Sequence, residues 1–406
     1  MVLKYEDRKS CQWGVGLAVL LFGLFGCSKE SAPGVPEADS TTDEDLTALV
    51  ALPYLSWSDG ESDPELLGVT LWDEERAWTG LNLYTDDVSQ AFLMDMAGRR
   101  LHTWTLPEKF THCEHFELLA GGSIAMVCVG QGLVKLDRES NIVWELRKPV
   151  HHDLAVRNDG TFLVPIVGRW RSYQGRRVGF DGLAYVSATG EILSRWRSWT
   201  HLETLQKLHE PSSLDQPFAG EPPKKSFDYY HLNTVEVLPE TPLGQRDARF
   251  RAGNILICLR NVHMIVVLDQ ETLTVTWSWG PGELSFPHMP TMLASGNLLI
   301  YDNGVDEKRS RVLELDPVSR EIVWMFEGSP PESFFSMRRG SNQRLPNGNT
   351  LICESEKGHV FEVDVGGNLV WEFWNPEMLE GRRKRIYRFM RRSEEEVRDL
   401  FRKQIP

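Results

Sequence analysis

A chain of 406 residues has room for one large domain or two to three ordinary ones. Its 41% hydrophobic and 10% aromatic content is that of a globular protein with a sizeable core. A formal net charge of −14 excludes nucleic acid as the main partner, because phosphate binding needs a cationic face.

The first predicted element is a leader. Lys4, Arg8 and Lys9 precede a twelve-residue apolar run from Gly14 to Phe25. That run is too short to span a bilayer and has the length of a signal-peptide core. It ends in Leu24-Phe25-Gly26-Cys27, which resembles a bacterial lipobox. Residues 1–26 therefore read as a signal peptide and Cys27 as the lipidated mature N-terminus. A Ser-, Pro- and acid-rich tract from Ser28 to Asp45 reads as a disordered tether, so 27–47 is a flexible segment. The expected location is the cell envelope, periplasmic or on the cell surface, with the membrane as a partner through the lipid anchor.

From there on an ending recurs: a small or polar turn, apolar residues, then Trp. It closes at Trp104, Trp144, Trp196, Trp277, Trp324 and Trp371, at intervals of 40, 52, 81, 47 and 47 residues. The long interval holds two insertions, Glu210–Lys225 and Pro239–Arg251. Each interval carries three or four short alternating strands. The last reads Asn342–Pro346, an Asn347-Gly348-Asn349 turn, Thr350–Glu354, His359–Val363, a Gly366-Gly367 turn and Leu369–Phe373. Such strands and turns signal antiparallel all-β structure, and their long, regular period makes each repeat a propeller blade. The expected fold is all-β, a six-bladed β-propeller over 48–376, with the six Trp on the third strand of each blade. Leu46–Trp57 is a candidate closing strand. Residues 377–406 form a basic tail with a short helix. Its Arg382-Arg383-Lys384-Arg385 run reads as a solvated surface, with contact to an anionic lipid face as the alternative. Ser393 and Glu396 form a capping box that opens the helix.

Cys128, Cys258 and Cys353 fall at one place in three repeats, so they read as small buried residues too far apart to pair. Cys113 lies among His112, Glu114 and His115 without a Cys-x-x-Cys partner and gives no metal motif. The first strand of a blade lines a propeller's channel, where side chains of distant repeats meet. At its start the repeats carry His115, His152, His231 and His288, and the last carries Ser341-Asn342-Gln343. A lone histidine is usually a satisfied core or surface residue. The common phase singles out His152, His231 and His288, while His115 and His151 keep the ordinary reading. Nearby, Asn233 follows His231, and Arg260 ends the strand Asn254–Leu259. Asp302, Asn303, Arg309 and Arg311 end the strand after His288. An Arg fork at a strand end suits a tetrahedral anion or an inter-blade ion pair, and Asp302-Asn303-Gly304 also fits a plain turn.

These motifs together resemble the bacterial arylsulfotransferase family. They are His151-His152-Asp153 with Asn158-Asp159-Gly160, Tyr230-His231-Leu232-Asn233, Ile257-Cys258-Leu259-Arg260, Pro287-His288-Met289-Pro290, Tyr301-Asp302-Asn303-Gly304, Ser310-Arg311, and Gly340-Ser341-Asn342-Gln343. They spread over most of Gly68 to Pro376. The resemblance implies a secreted six-bladed propeller that uses an aryl sulfate donor and a phenol acceptor, with no nucleotide sulfate, metal or organic cofactor. It implies that His288 attacks sulfur to form a sulfohistidine and that His231 serves as general acid and base. His152 and Arg260 would hold the sulfuryl oxygens, and Asn233, Asp302, Asn303 and Arg311 would complete the substrate site. The flanks mark a divergent member: Pro287 and Met289 stand where the family has Gln and Asp, and Cys258-Leu259 where a small hydroxyl residue is usual. Two other classes compete. A non-enzymatic envelope propeller that binds protein partners would show an exposed apolar patch and no convergent cluster. A quinone-cofactor dehydrogenase would want eight blades and a calcium site of carboxylates, neither of which is legible.

Overall fold

The computed structural model describes residues 57–168, 170–210 and 226–402. The leader, Cys27, the tether, nearly all of the candidate closing strand and most of the Glu210–Lys225 insertion lie outside these residues.

Six antiparallel sheets follow one another along the chain. The second to fifth each have four sequential strands, and they begin at Cys113, Ala155, Leu232 and His288. The sixth runs from Ser341–Arg344 to Leu369–Trp374 and gains Gly68–Trp72 on its outer edge. In the first sheet, Leu81–Thr85, Gln90–Met94 and Arg100–Thr105 are joined by Phe389–Arg392 from the far end of the chain. A three-stranded ribbon, Trp170–Tyr173, Arg176–Gly179 and Ser226–Asp228, branches from the third repeat.

The strands are apolar on both faces because both are covered. Side chains alternate across a strand, so Leu298 and Ile300 pack toward the fourth sheet while Leu299 and Tyr301 pack toward the sixth. The same alternation builds a core between every successive pair of sheets, and one more core joins Trp371 and Phe373 of the sixth to Tyr84 and Phe92 of the first. The recurrent Trp stand on the fourth strand of each sheet counted from its inner edge, not the third, and that strand is outermost in all but the sixth sheet. The miscount arises at the first strands, which are short or polar and hide from an apolar count. Five indoles reach the next sheet. Trp104, Trp144, Trp277, Trp324 and Trp371 donate Nε1–H to the carbonyls of Gly122, Ala188, Pro317, Val365 and Met96 at 2.9–3.2 Å. The last of these ties the sixth sheet to the first. Trp196 instead stacks on His201.

The basic run near the C-terminus is solvated only at Arg382; Arg383, Lys384 and Arg385 are buried. Arg383 and Arg385 are each 1% exposed. Arg383 donates to the carbonyls of Asn375 and Asp63, Arg385 to Asp59, and Lys384 to Asp86 and Glu377. Further on, Arg388 meets Asp153 at 2.7 Å and Arg391 meets Glu362 at 2.5 Å. Asp153 and Glu362 are buried carboxylates, and Arg388 and Arg391 neutralise them. The helix Glu394–Arg402 does open on a Ser393 cap, whose hydroxyl accepts from the Glu396 N–H at 3.1 Å.

Cys128 is not solitary. It forms a disulfide with Cys113, its cross-strand partner in the second sheet, whereas Cys258 and Cys353 are free and buried. Closing a loop of 15 residues in the unfolded chain is worth roughly 3 kcal/mol. Dithiothreitol is therefore expected to lower the melting temperature of the wild type and to leave Cys113→Ser/Cys128→Ser unchanged; equal melting with and without reductant would contradict this.

Candidate active site

His288 opens the first strand of the fifth sheet and is buried. Its Nδ1 lies 2.6 Å from Asn303 Oδ1, at the end of the paired strand. The Asn303 amide cannot be turned around, because Nδ2 donates to the carbonyls of Ser336 at 2.6 Å and Arg339 at 2.9 Å. Oδ1 is thus the acceptor, His288 carries its proton on Nδ1, and Nε2 keeps a lone pair. Burial, reinforced by the Arg260 charge, holds the His288 pKa well below the ordinary histidine value, so the ring is neutral. The turn that presents Asn303 needs glycine at 304: φ is +58°, and a Cβ there would lie 1.7 Å from the Arg309 carbonyl oxygen.

The residues beside His288 are strained and pinned. Phe286 and Met289 have φ of 55° and 46°. The Phe286 N–H donates to His263 Nδ1 at 3.0 Å and the Met289 N–H to Thr234 Oγ1 at 3.1 Å. The Pro287 carbonyl between them accepts from Asn233 Nδ2 at 3.0 Å and from the Cys258 thiol at 3.2 Å. Asn233 therefore holds the backbone that carries His288. The atypical Pro287, Met289 and Cys258 belong to one interlocked support.

His231 precedes the first strand of the fourth sheet, again at positive φ, 50°. Asp228, brought in by the accessory ribbon, takes its Nδ1–H at 2.7 Å. Burial and the Arg260 and His152 charges push its pKa well down. His152 sets Nδ1 on Glu114 Oε2 at 2.5 Å, and Glu114 is held from its other side by Arg339 at 3.1 Å. The rings of His152 and His231 stand 5.0 Å apart, and Tyr387 stacks on His152. Arg260 follows the second strand of the fourth sheet, with its guanidinium 4.9 Å over the Phe286 ring and Nη1 on Asn261. Its charge acts on both His231 and His288. The structure therefore brings His152, His231, Arg260 and His288 together.

Other candidates stand behind this group. Asp302 clasps Arg311 through Oδ2 at 3.0 and 2.5 Å and accepts the Ser285 N–H through Oδ1. Arg311 also donates to the Glu283 carbonyl. The pair shapes the loop before His288. Arg309 sits at the surface on Glu307. Sequence reasoning missed the carboxylates Glu114 and Asp228, which come from another sheet and from the ribbon. It also gave His151 an ordinary role, although His151 is buried, 2.9 Å from Asp181, and 5.5 Å from His231 ring to ring. Burial opposes its charge, but Asp181, Asp228 and Glu114 outweigh that and lift its pKa to about 9.

Asn303 serves as a positioning residue. Asn303→Ala is expected to lower the rate of any reaction that uses the His288 Nε2 lone pair by roughly 10²- to 10⁴-fold, since the wrong tautomer then competes. KM is expected to stay unchanged; a raised KM at constant kcat would instead make Asn303 a substrate contact.

No curated protein matches this sequence. Solved structures do. A protein of unknown function from Bacteroides caccae is 15% identical over 77% of this chain and 98% of its own, with a TM-score of 0.51, and shares the fold. A streptogramin B lyase is 11% identical over 80% and 87%, with a TM-score of 0.44. An inactive virginiamycin B lyase from Staphylococcus aureus, solved with quinupristin, is 10% identical over 76% and 88%, with a TM-score of 0.42. The last two are too distant to carry an argument. The family model for arylsulfotransferase (ASST) matches residues 115–376, from His115 of the second sheet to the end of the sixth. That span holds His152, His231, Arg260 and His288, and the chain belongs to the arylsulfotransferase family.

Proposed function

We propose that this protein moves a sulfuryl group from an aryl sulfate to a phenol through a sulfohistidine on His288, on a six-bladed propeller. The observation that carries the reading is the buried, neutral His288 whose Nδ1–H is fixed by Asn303, beside Arg260 and two further histidines. The ring of cores, with the sixth sheet packed on the first, supports the blade count.

In the first half-reaction the Nε2 lone pair forms a bond to sulfur. The bond from sulfur to the aryl oxygen breaks, and its electron pair leaves with the phenolate. Arg260 and His152 hold the sulfuryl oxygens; each donor to them is worth about 2.7–4 kcal/mol in comparable sites. In the resting enzyme His231 holds its one proton on Nδ1 against Asp228, so the first phenolate leaves unprotonated; in later turnovers it takes the Nε2 proton that His231 received from the preceding acceptor. In the second half the acceptor hydroxyl returns a proton to that nitrogen and attacks sulfur, and the N–S pair reverts to His288. The proton taken from one acceptor is the one given to the next leaving group.

The reading includes an envelope location. The Cys113–Cys128 disulfide supports an oxidising compartment. Cys27 would then anchor the protein to a membrane.

The test is transfer itself. A chromogenic aryl sulfate with an added phenol is expected to yield the sulfated phenol with ping-pong kinetics. No product across several donors would reject the reading in favour of a propeller that binds protein partners. The pH profile follows from the two depressed histidines. The neutral form persists above its folded pKa, so sulfuryl uptake from a donor with a good leaving group is expected to stay level as pH falls through 6.5. It is expected to decline only at more acidic pH. A midpoint at or above 6.5 would contradict the assignment of His288.

A further inference from the structure

His151, His152 and His231 do more than crowd one another. One nitrogen from each lies within 4.8 Å of the nitrogens of the other two. The ring centroids are 5.0, 5.5 and 5.5 Å apart. Three imidazoles around one tetrahedral ion, with metal–nitrogen bonds of about 2.0–2.1 Å, bring ring centres to roughly 5 Å from one another.

Each of the three rings also has a carboxylate on one nitrogen. His151 Nε2 meets Asp181 at 2.9 Å, His152 Nδ1 meets Glu114 at 2.5 Å and His231 Nδ1 meets Asp228 at 2.7 Å. A carboxylate on the outer nitrogen is the arrangement that orients a metal-binding histidine and raises its basicity. His151 adds an independent sign. Its Nδ1 is fully buried and has no hydrogen-bond partner among the described residues. A buried ring nitrogen left without a partner is costly unless something binds it. The three carboxylates around the group favour a cation, against the guanidinium charges of Arg260 and Arg339. Imidazole-only donor sets suit borderline ions such as Zn²⁺ better than Mg²⁺ or Ca²⁺.

We propose that His151, His152 and His231 form a binding site for one divalent transition-metal ion, Zn²⁺ in class. The ion takes one nitrogen from each of the three imidazoles. One consequence rests on the sulfotransferase reading: the bound ion occupies the His231 nitrogen that exchanges protons with the phenols, so zinc switches transfer off reversibly.

The experiment uses tag-free full-length protein stripped with chelator. Zn²⁺ is titrated by calorimetry, and Co²⁺ is added in parallel for its visible absorption. One equivalent of Zn²⁺ and an intense tetrahedral Co²⁺ band are expected. His151→Gln is expected to remove both while the melting curve stays cooperative. Asp181→Asn, which alters the partner of the outer His151 nitrogen and leaves an oxygen for the Leu232 N–H, is expected to weaken binding about 10- to 100-fold. Absence of stoichiometric Zn²⁺ binding in folded wild type, or binding equal in His151→Gln, would overturn the site. If His151→Gln does not fold, the Asp181→Asn isotherm decides: unchanged affinity overturns the proposal. The transfer assay is a separate arm. No transfer without metal rejects the sulfotransferase reading and leaves the isotherm standing, whereas full transfer in the zinc-saturated protein overturns the switch.

Discussion

Phenol release from an aryl sulfate is expected to fall by about 10⁴- to 10⁶-fold in His288→Ala, with the melting curve preserved. The loss is large because nothing else in the cluster can stand in for His288. His152 and His231 also have Nδ1 committed and Nε2 left over, but those rings approach the group from the third and fourth repeats rather than the fifth. The same assay separates the roles. His231→Ala is expected to cost little with a donor whose phenolate leaves unaided, and much in transfer to an ordinary phenol, where a proton must be removed. Equal losses in both assays would argue against His231 as the acid and base.

Cutting the chain after Pro376 is expected to abolish cooperative folding. The missing piece supplies the Phe389–Arg392 strand of the first sheet, along with Ile386 and Phe389 of the core that joins the sixth sheet to the first. It also supplies Arg388 and Arg391. Without them Asp153 and Glu362, 1% and 0% exposed, would be buried charges with no cation. A single change shows the same effect on a smaller scale. Arg388→Met leaves Asp153 with the N–H groups of Leu154 and Val235 and with His115 Nε2 at 3.6 Å, and is expected to cost about 3–5 kcal/mol. A truncated protein that still melts sharply would show that the closing strand is dispensable.

These two expectations differ in how visible they were from the sequence. The repeat was legible because two-sided strands leave apolar runs and each repeat ends on a Trp, five of whose six indoles reach the next sheet. The four converging side chains were legible because they sit at equivalent strand ends. What holds them was not. Glu114 and Asp228 come from a different sheet and from a ribbon whose parallel pairing no local pattern announces. The buried basic run was misread because its counter-charges lie far away in sequence, as with Lys384 and Asp86 or Arg385 and Asp59. Cys113 and Cys128 were separated for a related reason. Repeat phase compares strands of different sheets, whereas this bond depends on register within one sheet. Asn303 was weighed as a substrate contact or a turn residue. Its role in fixing a tautomer emerges only with the Ser336 and Arg339 carbonyls in place.

The most direct measurement is the intact mass of the wild-type protein after mixing with an aryl sulfate and no acceptor, with the modified residue located by peptide fragmentation. The expected result is one added SO₃ group, found on His288, lost on adding a phenol and never formed in His288→Ala. Phenol release with no covalent adduct, or an adduct on another residue, would contradict the sulfohistidine account.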